Sequence, residues 1–451
     1  MSKTKTIFVC QNCGATTSKW MGKCNECNSW NTFAEEIVSK EKSGGEKIKS
    51  GEKPLLLEEI EYDSEKRLLT GNEELDKVLG GGLVQGSITL FGGEPGIGKS
   101  TLSLQIALGL TNKKVLYVSG EESAQQIKMR SNRLDKKGEN LYLLCDVVLE
   151  NIINAADQVK PDLVVIDSIQ TTITEQIESS AGTISQVRES ASRLQRMAKK
   201  TGIPVIIIGH ITKDGNIAGP KVLEHIVDTV LLFEGDHQHL FRILRPVKNR
   251  FGSTSEIGIF EMTEKGLITV DDPSGILLGQ RDNNLSGVCA ASTVNGIRPF
   301  LIEIQALVST AAYGMPQRSA IGFDTRRLNM LLAVLEKRAG FHLSAKDVFL
   351  NIAGGLRLQD SALDLAIISA ILSSSADIPI DKNYCFAAEI SLSGEIRPVT
   401  HVEQRIKEAE RLGFKKIFIS AYNKKNIISQ FKNIELVYIP TIEGIVKKLF
   451  S

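Results

Sequence analysis

Short apolar runs alternate with amphipathic segments through the first half of this chain, and polar residues follow each run. The runs are rich in β-branched side chains, which predicts buried strands, while the segments between them have the periodicity of helices. The predicted strands are Ser87–Gly92, Lys114–Ser119, Asp162–Asp167 and Val205–Gly209, and the predicted helices are Thr101–Leu110, Ala124–Leu134 and Ser185–Lys200. This order predicts an α/β fold with a parallel sheet. Ligands of such sheets bind beyond the carboxyl ends of the strands, so chemistry is expected there.

A second block of strand and helix patterns begins near residue 272. Strand-like runs at Gly287–Thr293 and Phe300–Val308 precede helical patterns at Arg327–Lys337 and Ser361–Ser373. We therefore expect one α/β domain over residues 61–271 and another over residues 272–451.

The composition is that of a globular protein with several domains. A chain of 451 residues suggests about two to four domains, and 42% hydrophobic residues are enough for each to bury a core. Because 54 basic residues nearly balance 53 acidic ones, any binding of nucleic acid must come from local patches. The chain has neither an apolar run long enough for a membrane span nor a secretory leader, so we expect no membrane association and a cytoplasmic location.

Four of the seven cysteines lie near the amino terminus, which indicates a metal site rather than a disulfide framework. Cys10 and Cys13 form one Cys-x2-Cys pair, and Cys24 and Cys27 form a second, so four thiolates can reach one tetrahedral Zn²⁺. A redox pair is the alternative for a single Cys-x2-Cys, but two pairs favour structural zinc. Turn residues accompany each pair: Gly14 after the first and Asn25 within the second.

Residues 1–36 are therefore expected to form a four-cysteine zinc ribbon, with Trp20, Trp30 and Phe33 covering a domain too small to have its own core. A closed thiolate site does no chemistry, so the ribbon is expected to dock or to contact nucleic acid. Residues 37–60 are expected to form a charged linker, because Lys, Glu, Ser and Gly dominate between Ser39 and Lys53. Its charges are those of a solvated tether rather than of a binding patch.

The phosphate-loop pattern G-x-x-x-x-G-K-[ST] fits residues 93–100, between a predicted strand and a predicted helix. Backbone N–H groups of such a loop face a polyphosphate, the lysine reaches the β- and γ-phosphates, and the serine ligates Mg²⁺. An ATPase is thus the first hypothesis, with ATP and Mg²⁺ as cofactors. The expected nucleotide-binding residues are Gly93, Glu94, Pro95, Gly96, Ile97, Gly98, Lys99, Ser100 and Thr101.

Acidic residues stand at two other predicted strand ends. Four apolar residues run into Asp167, the Walker B arrangement in which a carboxylate holds the Mg²⁺ shell together with Ser100. Glu121 and Glu122 follow another strand, where one can polarise the attacking water and the other can cap the next helix. Position alone does not choose between these two.

His210 follows the next predicted strand, where it is placed to sense the γ-phosphate, although a lone histidine is more often structural. Two long segments at this edge, Gln170–Gly182 and Thr212–Lys221, have few hydrophobic anchors, and such loops are often functional. Lys213 and Lys221 suit the second loop to a phosphate backbone. A surface loop without function remains the alternative.

Over nearly its full length, the chain resembles the RadA/Sms family of bacterial RecA-like DNA repair and recombination ATPases. The resemblance rests on the four-cysteine ribbon, the phosphate loop, Leu163-Val-Val-Ile-Asp-Ser168 and above all Lys248-Asn-Arg-Phe-Gly252, the family's own signature. By itself, this pentapeptide is a basic loop after a strand ending near Pro246. The resemblance implies that Lys248 and Arg250 act across a subunit boundary on a neighbour's ATP and contact DNA.

The same resemblance favours Glu121 over Glu122 as the water-activating carboxylate and implies that His210 is the γ-phosphate sensor. It also implies that the two long loops face DNA. The implied partners are single-stranded and branched DNA, a recombinase such as RecA, and further copies of the chain in a ring, expected to be a hexamer.

Residues 272–451 resemble the proteolytic domain of Lon. Lon-type hydrolysis needs a serine nucleophile and a lysine base. Here Ala362 stands at the nucleophile position, with Ser361 one residue early, and Glu403 stands where the lysine would be. We therefore expect a scaffold without proteolytic activity that serves ring assembly and DNA contact.

The leading hypothesis is a DNA-dependent ATPase that moves on single-stranded DNA and promotes branch migration in recombination and repair. One alternative is a KaiC-like nucleotide-regulated assembly ATPase, because Gly80-Gly-Gly-Leu-Val-Gln-Gly86 also resembles that branch, although the zinc ribbon speaks against it. An ATP-dependent serine protease is a weaker alternative.

Overall fold

A computed structural model describes residues 4–11, 14–39, 56, 67–136, 138–210, 220–235, 241–270, 272–278, 284–295, 298–311, 315–355 and 358–450. Cys13, Lys213, the side chain of Lys221 and residues 40–53 of the expected tether lie outside the description. The chain divides into two compact units, Met1–Thr269 and Val270–Ser451. Among the described residues, no helix has the length and apolarity needed to cross a membrane.

The amino-terminal ribbon is a small antiparallel sheet closed by two cysteine turns. Its strands are β1 (Thr4–Cys10), β2 (Thr16–Thr17) and β3 (Phe33–Ser39), in the order β2-β1-β3. Phe33 packs with Cys10 and Cys24 in the small core, as expected. The prediction that both tryptophans cover this core is wrong, because the exposed fractions of Trp20 and Trp30 are 55% and 69%.

The rest of the first unit is a nine-stranded sheet with helices on both faces. Its elements are β4 (Arg67–Leu68), α1 (Glu73–Leu79), β5 (Leu83–Val84), β6 (Ile88–Gly93), α2 (Lys99–Gly109), β7 (Val115–Ser119), α3 (Ala124–Arg133), β8 (Leu141–Leu144), α4 (Leu149–Val159), β9 (Leu163–Asp167), α5 (Ile184–Thr201), β10 (Val205–His210), α6 (Pro220–Ile226), β11 (Thr229–Glu234), β12 (Phe241–Asn249), β13 (Gly258–Thr263) and β14 (Gly266–Thr269). The small strands β4 and β5 pair apart from this sheet.

The sheet order is β14-β13-β12-β11-β6-β10-β9-β7-β8, in which the six strands β6 to β11 run parallel and β12 to β14 form an antiparallel extension. Strands β6, β7 and β9 are buried along their whole length between two apolar clusters. This burial on both faces explains their continuous apolar sequences. The expected parallel sheet is present, and the antiparallel extension was not foreseen.

Strand β12 continues to Asn249, three residues beyond the end expected from Pro246. A proline has no N–H for the ladder and normally ends a central strand. Here the pairing shifts register, so that Val230 faces Lys248 while Leu231 faces Pro246, and Val247 is the extra residue of a bulge. The basic pentapeptide therefore starts on a strand and only then enters a loop.

The second unit is built on a mixed seven-stranded sheet of order β17-β18-β16-β15-β19-β22-β23. Its elements are α7 (Pro273–Leu277), β15 (Val288–Asn295), β16 (Arg298–Thr310), β17 (Arg318–Ile321), α8 (Thr325–Ala339), β18 (Lys346–Ile352), α9 (Asp364–Ala376), β19 (Tyr384–Ala387), β20 (Glu389–Ile390), β21 (Ile396–Arg397), α10 (Val402–Arg411), β22 (Lys416–Ser420), β23 (Glu435–Ile439) and α11 (Ile442–Phe450). Helix α9 is buried from Asp364 to Ser373, which explains why apolar residues lie on all of its sides.

Candidate functional site

The phosphate loop leaves strand β6 and enters helix α2, whose first residue is Lys99. Gly98 has a φ of 116°, a conformation that a side chain would strain, and a Cβ there would lie 2.8 Å from Cε of Met262. Lys99 is buried and its Nζ donates to the carbonyl oxygens of Gly93 and Glu94, each at 2.8 Å. Burial lowers the pKa of Lys99 to about 8, although Asp167, Glu121 and Glu94 oppose this shift.

Asp167 ends strand β9 beside the start of α2 and is buried. Its Oδ2 accepts a hydrogen bond of 2.7 Å from the hydroxyl of Tyr117, and Ser100 donates a second one. Burial raises the pKa of Asp167, while these two hydrogen bonds lower it. A carboxylate and a hydroxyl in contact are an oxygen donor pair that fits Mg²⁺.

Glu121 and Glu122 point to different partners. Oε1 of Glu121 accepts a hydrogen bond of 2.6 Å from Ser168 and lies 3.3 Å from Nε2 of His210. Glu122 instead forms an ion pair with Arg130 on helix α3. Glu121 therefore belongs to the group at the strand ends with His210, whereas Glu122 binds the helix that follows it, and Ser123 rather than either glutamate caps that helix.

His210 and Gly93 are paired at the carboxyl ends of β10 and β6, and Ser119 and Asp167 are paired at the ends of β7 and β9. Within the described residues, Nδ1 of His210 is buried without a hydrogen-bond partner. The phosphate loop, Asp167, Glu121 and His210 thus meet at one edge of the sheet, as parallel strands require.

Lys248 and Arg250 lie away from the phosphate loop, toward the amino ends of the parallel strands β6 and β11. Lys248 of β12 is paired with Val230 of β11, and Val230 is paired with Leu90 of β6. Leu90 lies three residues before Gly93. At about 3.3 Å per residue, this places Lys248 about 10 Å back along the strand from the start of the phosphate loop. Arg250 lies further back, because it binds Asp228, which in turn accepts a hydrogen bond from the amide of Ile88.

Both cations are bound within their own chain. Nζ of Lys248 donates to the carbonyl oxygens of Glu224 (2.5 Å) and Val227 (2.8 Å) at the end of helix α6. Burial lowers the pKa of Lys248, and the neighbouring Arg250 adds to this shift. Nη1 of Arg250 lies 3.1 Å from Oδ1 of the buried Asp228, while about half of the arginine side chain remains exposed.

The middle of the pentapeptide packs against the end of helix α1. Nδ2 of Asn249 donates to the carbonyl oxygens of Val78 and Leu79. A Cβ at Gly252 would lie 3.1 Å from Cα of Gly80, so glycine at both positions lets the two backbone segments approach closely. The pentapeptide is therefore anchored to two helix ends, α1 and α6.

Helix α5 anchors the loop Gln170–Gly182 through side-chain hydrogen bonds. The buried side chain of Gln186 accepts from the amide of Thr174 and donates to the carbonyl oxygens of Ile177 and Ser179. Arg193 of the same helix forms an ion pair with Glu150. Most of the second loop, residues 211–219, lies outside the described residues.

Three of the four predicted thiolates converge in the ribbon. The Sγ atoms of Cys10, Cys24 and Cys27 lie within 4.8 Å of one another, and those of Cys10 and Cys27 are 3.7 Å apart. Sulfurs bound to one tetrahedral Zn²⁺ at 2.3 Å would be about 3.8 Å apart, so the set fits zinc. Gly14 follows the first pair and Asn25 lies in the turn within the second pair, as expected, while Asn28, directly after Cys27, is left-handed.

In the second unit, the positions compared with Lon do not form a nucleophile and base. Ala362 is buried and has no hydroxyl. Both carboxylate oxygens of Glu403 bind the loop at residues 428–429, where the amides of Ile428 and Ser429 and the hydroxyl of Ser429 donate to them. These backbone hydrogen bonds lower the pKa of Glu403.

Several residues that contact the site were not found from the sequence. They are Tyr117 on Asp167, Ser168 on Glu121, Asp228 on Arg250, Gln186 under the first loop, and Arg242, whose Nε donates to the carbonyl oxygen of Ile97. Tyr117 and Arg242 lie within apolar strand patterns, and the sequence holds no local signal for their contacts.

The fold and this strand-end cluster define a RecA-like P-loop ATPase that carries a rubredoxin-like zinc ribbon and a ChlI/Lon-like carboxyl-terminal domain. Models of known families match three segments: a rubredoxin metal binding domain over residues 8–35, an AAA domain over residues 56–216, and subunit ChlI of Mg-chelatase over residues 304–423. A solved KaiC-like protein from Pyrococcus horikoshii is 20% identical over 46% of this chain and 99% of its own, with a TM-score of 0.39, which is too low to compare the two in detail.

Curated relatives match along the full length. A protein of Listeria monocytogenes named DNA repair protein RadA is 49% identical over 99% of this chain and 98% of its own. The protein of the same name from Bacillus subtilis is 48% identical over 94% of each chain, and one from Streptococcus pyogenes is 45% identical over the whole of both. The chain belongs to the RadA family, which confirms the resemblance inferred from its motifs.

Proposed function

We propose that this protein is a DNA repair ATPase that uses ATP hydrolysis to move on single-stranded DNA and to promote branch migration. The observation that carries the ATPase part is the meeting of Lys99, Asp167, Glu121 and His210 at the edge where the phosphate loop lies. The action on DNA is supported by the family and by the names of its members.

Each residue at this edge has a proposed task. The amides of the phosphate loop and Lys99 bind the polyphosphate, and Ser100 and Asp167 hold the Mg²⁺ that neutralises its charge. Glu121 orients and deprotonates the attacking water, which is consistent with its exposure toward the site and its contact with His210. His210 has a free ring nitrogen among the described atoms and contacts Glu121, so it is suited to register loss of the γ-phosphate.

Lys248 and Arg250 act on the ATP of a neighbouring subunit. Their distance from their own phosphate loop supports this proposal, since neither can approach Lys99 of the same chain without dismantling the sheet between them. A cation from the next subunit would stabilise charge on the transferring phosphoryl group. We therefore propose that the protein forms a homo-oligomeric ring of six subunits. The RecA recombinase is its proposed partner, and Lys213 and Lys221 are proposed as further DNA contacts.

Mixing of variant subunits tests the shared site. Lys99→Ala removes the phosphate-loop cation but leaves Arg250 intact, whereas Arg250→Ala does the reverse. If the site is shared, a mixture forms some interfaces that carry both groups, and its ATPase rate exceeds that of either variant alone. Because Arg250→Ala leaves Asp228 without its cation, a thermal unfolding transition like that of the wild type must first show that this variant is folded.

Two outcomes would contradict the shared site. The mixture could be no more active than its components although both variants fold and assemble, or Arg250→Ala could lose nucleotide affinity as fully as Lys99→Ala. Lys265→Ala is the matched control, because Lys265 is an exposed lysine in the turn between β13 and β14 of the same sheet extension.

The action on DNA has its own test. The ATPase rate of the wild type should rise with single-stranded DNA, Lys248→Ala should lose that response, and the wild type should unwind a branched substrate. A wild-type rate that ignores DNA would instead favour the nucleotide-regulated assembly ATPase.

A further inference from the structure

The ribbon presents two exposed tryptophans side by side. The chain has two tryptophans in all, and both lie here. Measured from the point where a Cβ would stand at Gly22, Cη2 of Trp20 is 3.7 Å away and Cζ3 of Trp30 is 3.9 Å away. The two rings therefore face a common space above a residue without a side chain, and more than half of each is exposed to solvent.

The backbone holds this pair in place. Lys23 and Trp30 face each other across an antiparallel bridge, and the amide of Asn31 donates to the carbonyl oxygen of Gly22 at 2.7 Å. The amide of Cys24 donates to the carbonyl oxygen of Ser29 just inside this bridge. Since Cys24 belongs to the thiolate cluster, metal binding fixes the turn from which Trp30 projects.

The charges beside the rings are mainly positive. Nζ of Lys23 lies 5.7 Å from the centre of the Trp30 ring, and Lys19 directly precedes Trp20 and is exposed. Glu26 is the one acidic residue of the sequence between residues 14 and 34, and it lies in the turn between two zinc ligands.

We infer that Trp20 and Trp30 form a stacking platform for the bases of single-stranded DNA, with Lys19 and Lys23 binding the phosphates beside them. Rigid aromatic rings flanked by cations are what single-stranded nucleic acid requires, because every base has a face to stack and no sequence needs to be read. Lys19 and Lys23 flank the rings, and Met21 packs against the core of the ribbon rather than extending the exposed apolar surface. Lysines are depleted at the centre of protein interfaces, whereas they suit a phosphate backbone.

This inference rests on the proposed action on DNA and assigns the ribbon a direct contact with it. The two tryptophans are also the probe, since all tryptophan fluorescence of the chain comes from the platform. The full-length, zinc-loaded protein is titrated with a single-stranded oligodeoxythymidylate in the absence of nucleotide. We expect a saturable loss of tryptophan emission, and a much smaller change with a blunt duplex, whose bases are already stacked.

Substitutions give the second measurement. Trp20→Ala and Trp30→Ala should each weaken binding of the labelled oligonucleotide at least about fivefold, while Trp30→Phe should keep most of the affinity. Because both rings are exposed, these variants should fold. The zinc that each purified variant releases when it is denatured should equal that of the wild type, which confirms that the ribbon is folded.

The outcomes separate this inference from the proposed function. If DNA stimulates the ATPase but leaves tryptophan emission and the affinity of both alanine variants unchanged, the platform meets another surface, such as a partner protein, and the inference is wrong. If DNA changes neither the ATPase rate nor the emission, the proposed action on DNA fails as well.

Discussion

The lowered pKa of Lys99 makes nucleotide binding depend on pH in a predictable direction. In the chain without nucleotide, burial lowers this pKa from 10.5 to about 8. A bound polyphosphate places negative charge against the ammonium group and should return its pKa at least to the ordinary value. Binding then takes up a proton whenever the pH lies above 8, so affinity must fall as the pH rises through that value.

The size of the effect follows from the shift. Near pH 9, about one-tenth of the free protein carries a charged Lys99, whereas near pH 7 almost all of it does. The dissociation constant of a non-hydrolysable ATP analogue with Mg²⁺ should therefore rise about tenfold across this interval, which corresponds to about 1.4 kcal/mol. Titration calorimetry in two buffers of different ionisation enthalpy measures both the affinity and the proton uptake.

Lys99→Arg is the control for this experiment, because a guanidinium group stays charged over the whole interval. Its affinity should show little dependence on pH. Constant wild-type affinity from about pH 7 to about pH 9, or an equal slope in Lys99→Arg, would show that Lys99 is charged in the free protein or that another group titrates.

Three further substitutions test the packing around the sites. Tyr117→Phe removes a donor to Asp167, so half-maximal ATPase activity should need about fivefold more Mg²⁺, and an unchanged requirement would mean that this hydrogen bond does not position the carboxylate. Asp364→Ala leaves Arg327 without its buried partner and should destabilise the second unit by about 3 kcal/mol, seen as faster hydrogen exchange in α9; a change below 1 kcal/mol would contradict this. Cys24→Ser should abolish stoichiometric zinc, whereas Cys385→Ser, at a buried cysteine of the second unit, should retain it.

Local patterns account for much of the fold. The apolar runs before Gly93 and Asp167 predicted buried parallel strands, and the two runs are indeed part of one sheet. Strand β8 and helix α4 were not predicted; β8 is only four residues long, and its apolar side chains are partly or largely exposed. Strand β12 was expected only as a strand ending near Pro246, and the antiparallel strands β13 and β14 were missed, since their place depends on pairing outward from β11 rather than on any local propensity.

The sequence by itself determined the phosphate loop, the strand-end acids and the cysteine spacing, because each depends on residue types at short fixed separations. Glycines permit the loop conformation, and parallel strands bring their polar ends to one edge. The roles of the residues gathered there stay predictions.

Only the tertiary structure decided which partners those residues meet. Asp228 accepts a hydrogen bond from the amide of Ile88, which lies 140 positions away in the sequence. Lys248 lies away from its own phosphate loop because β12 runs antiparallel to β11. The exposure of Trp20 and Trp30 was equally beyond local patterns. A tryptophan in a small ribbon can cover the core or face solvent, and the backbone pairing around Gly22 sets the direction.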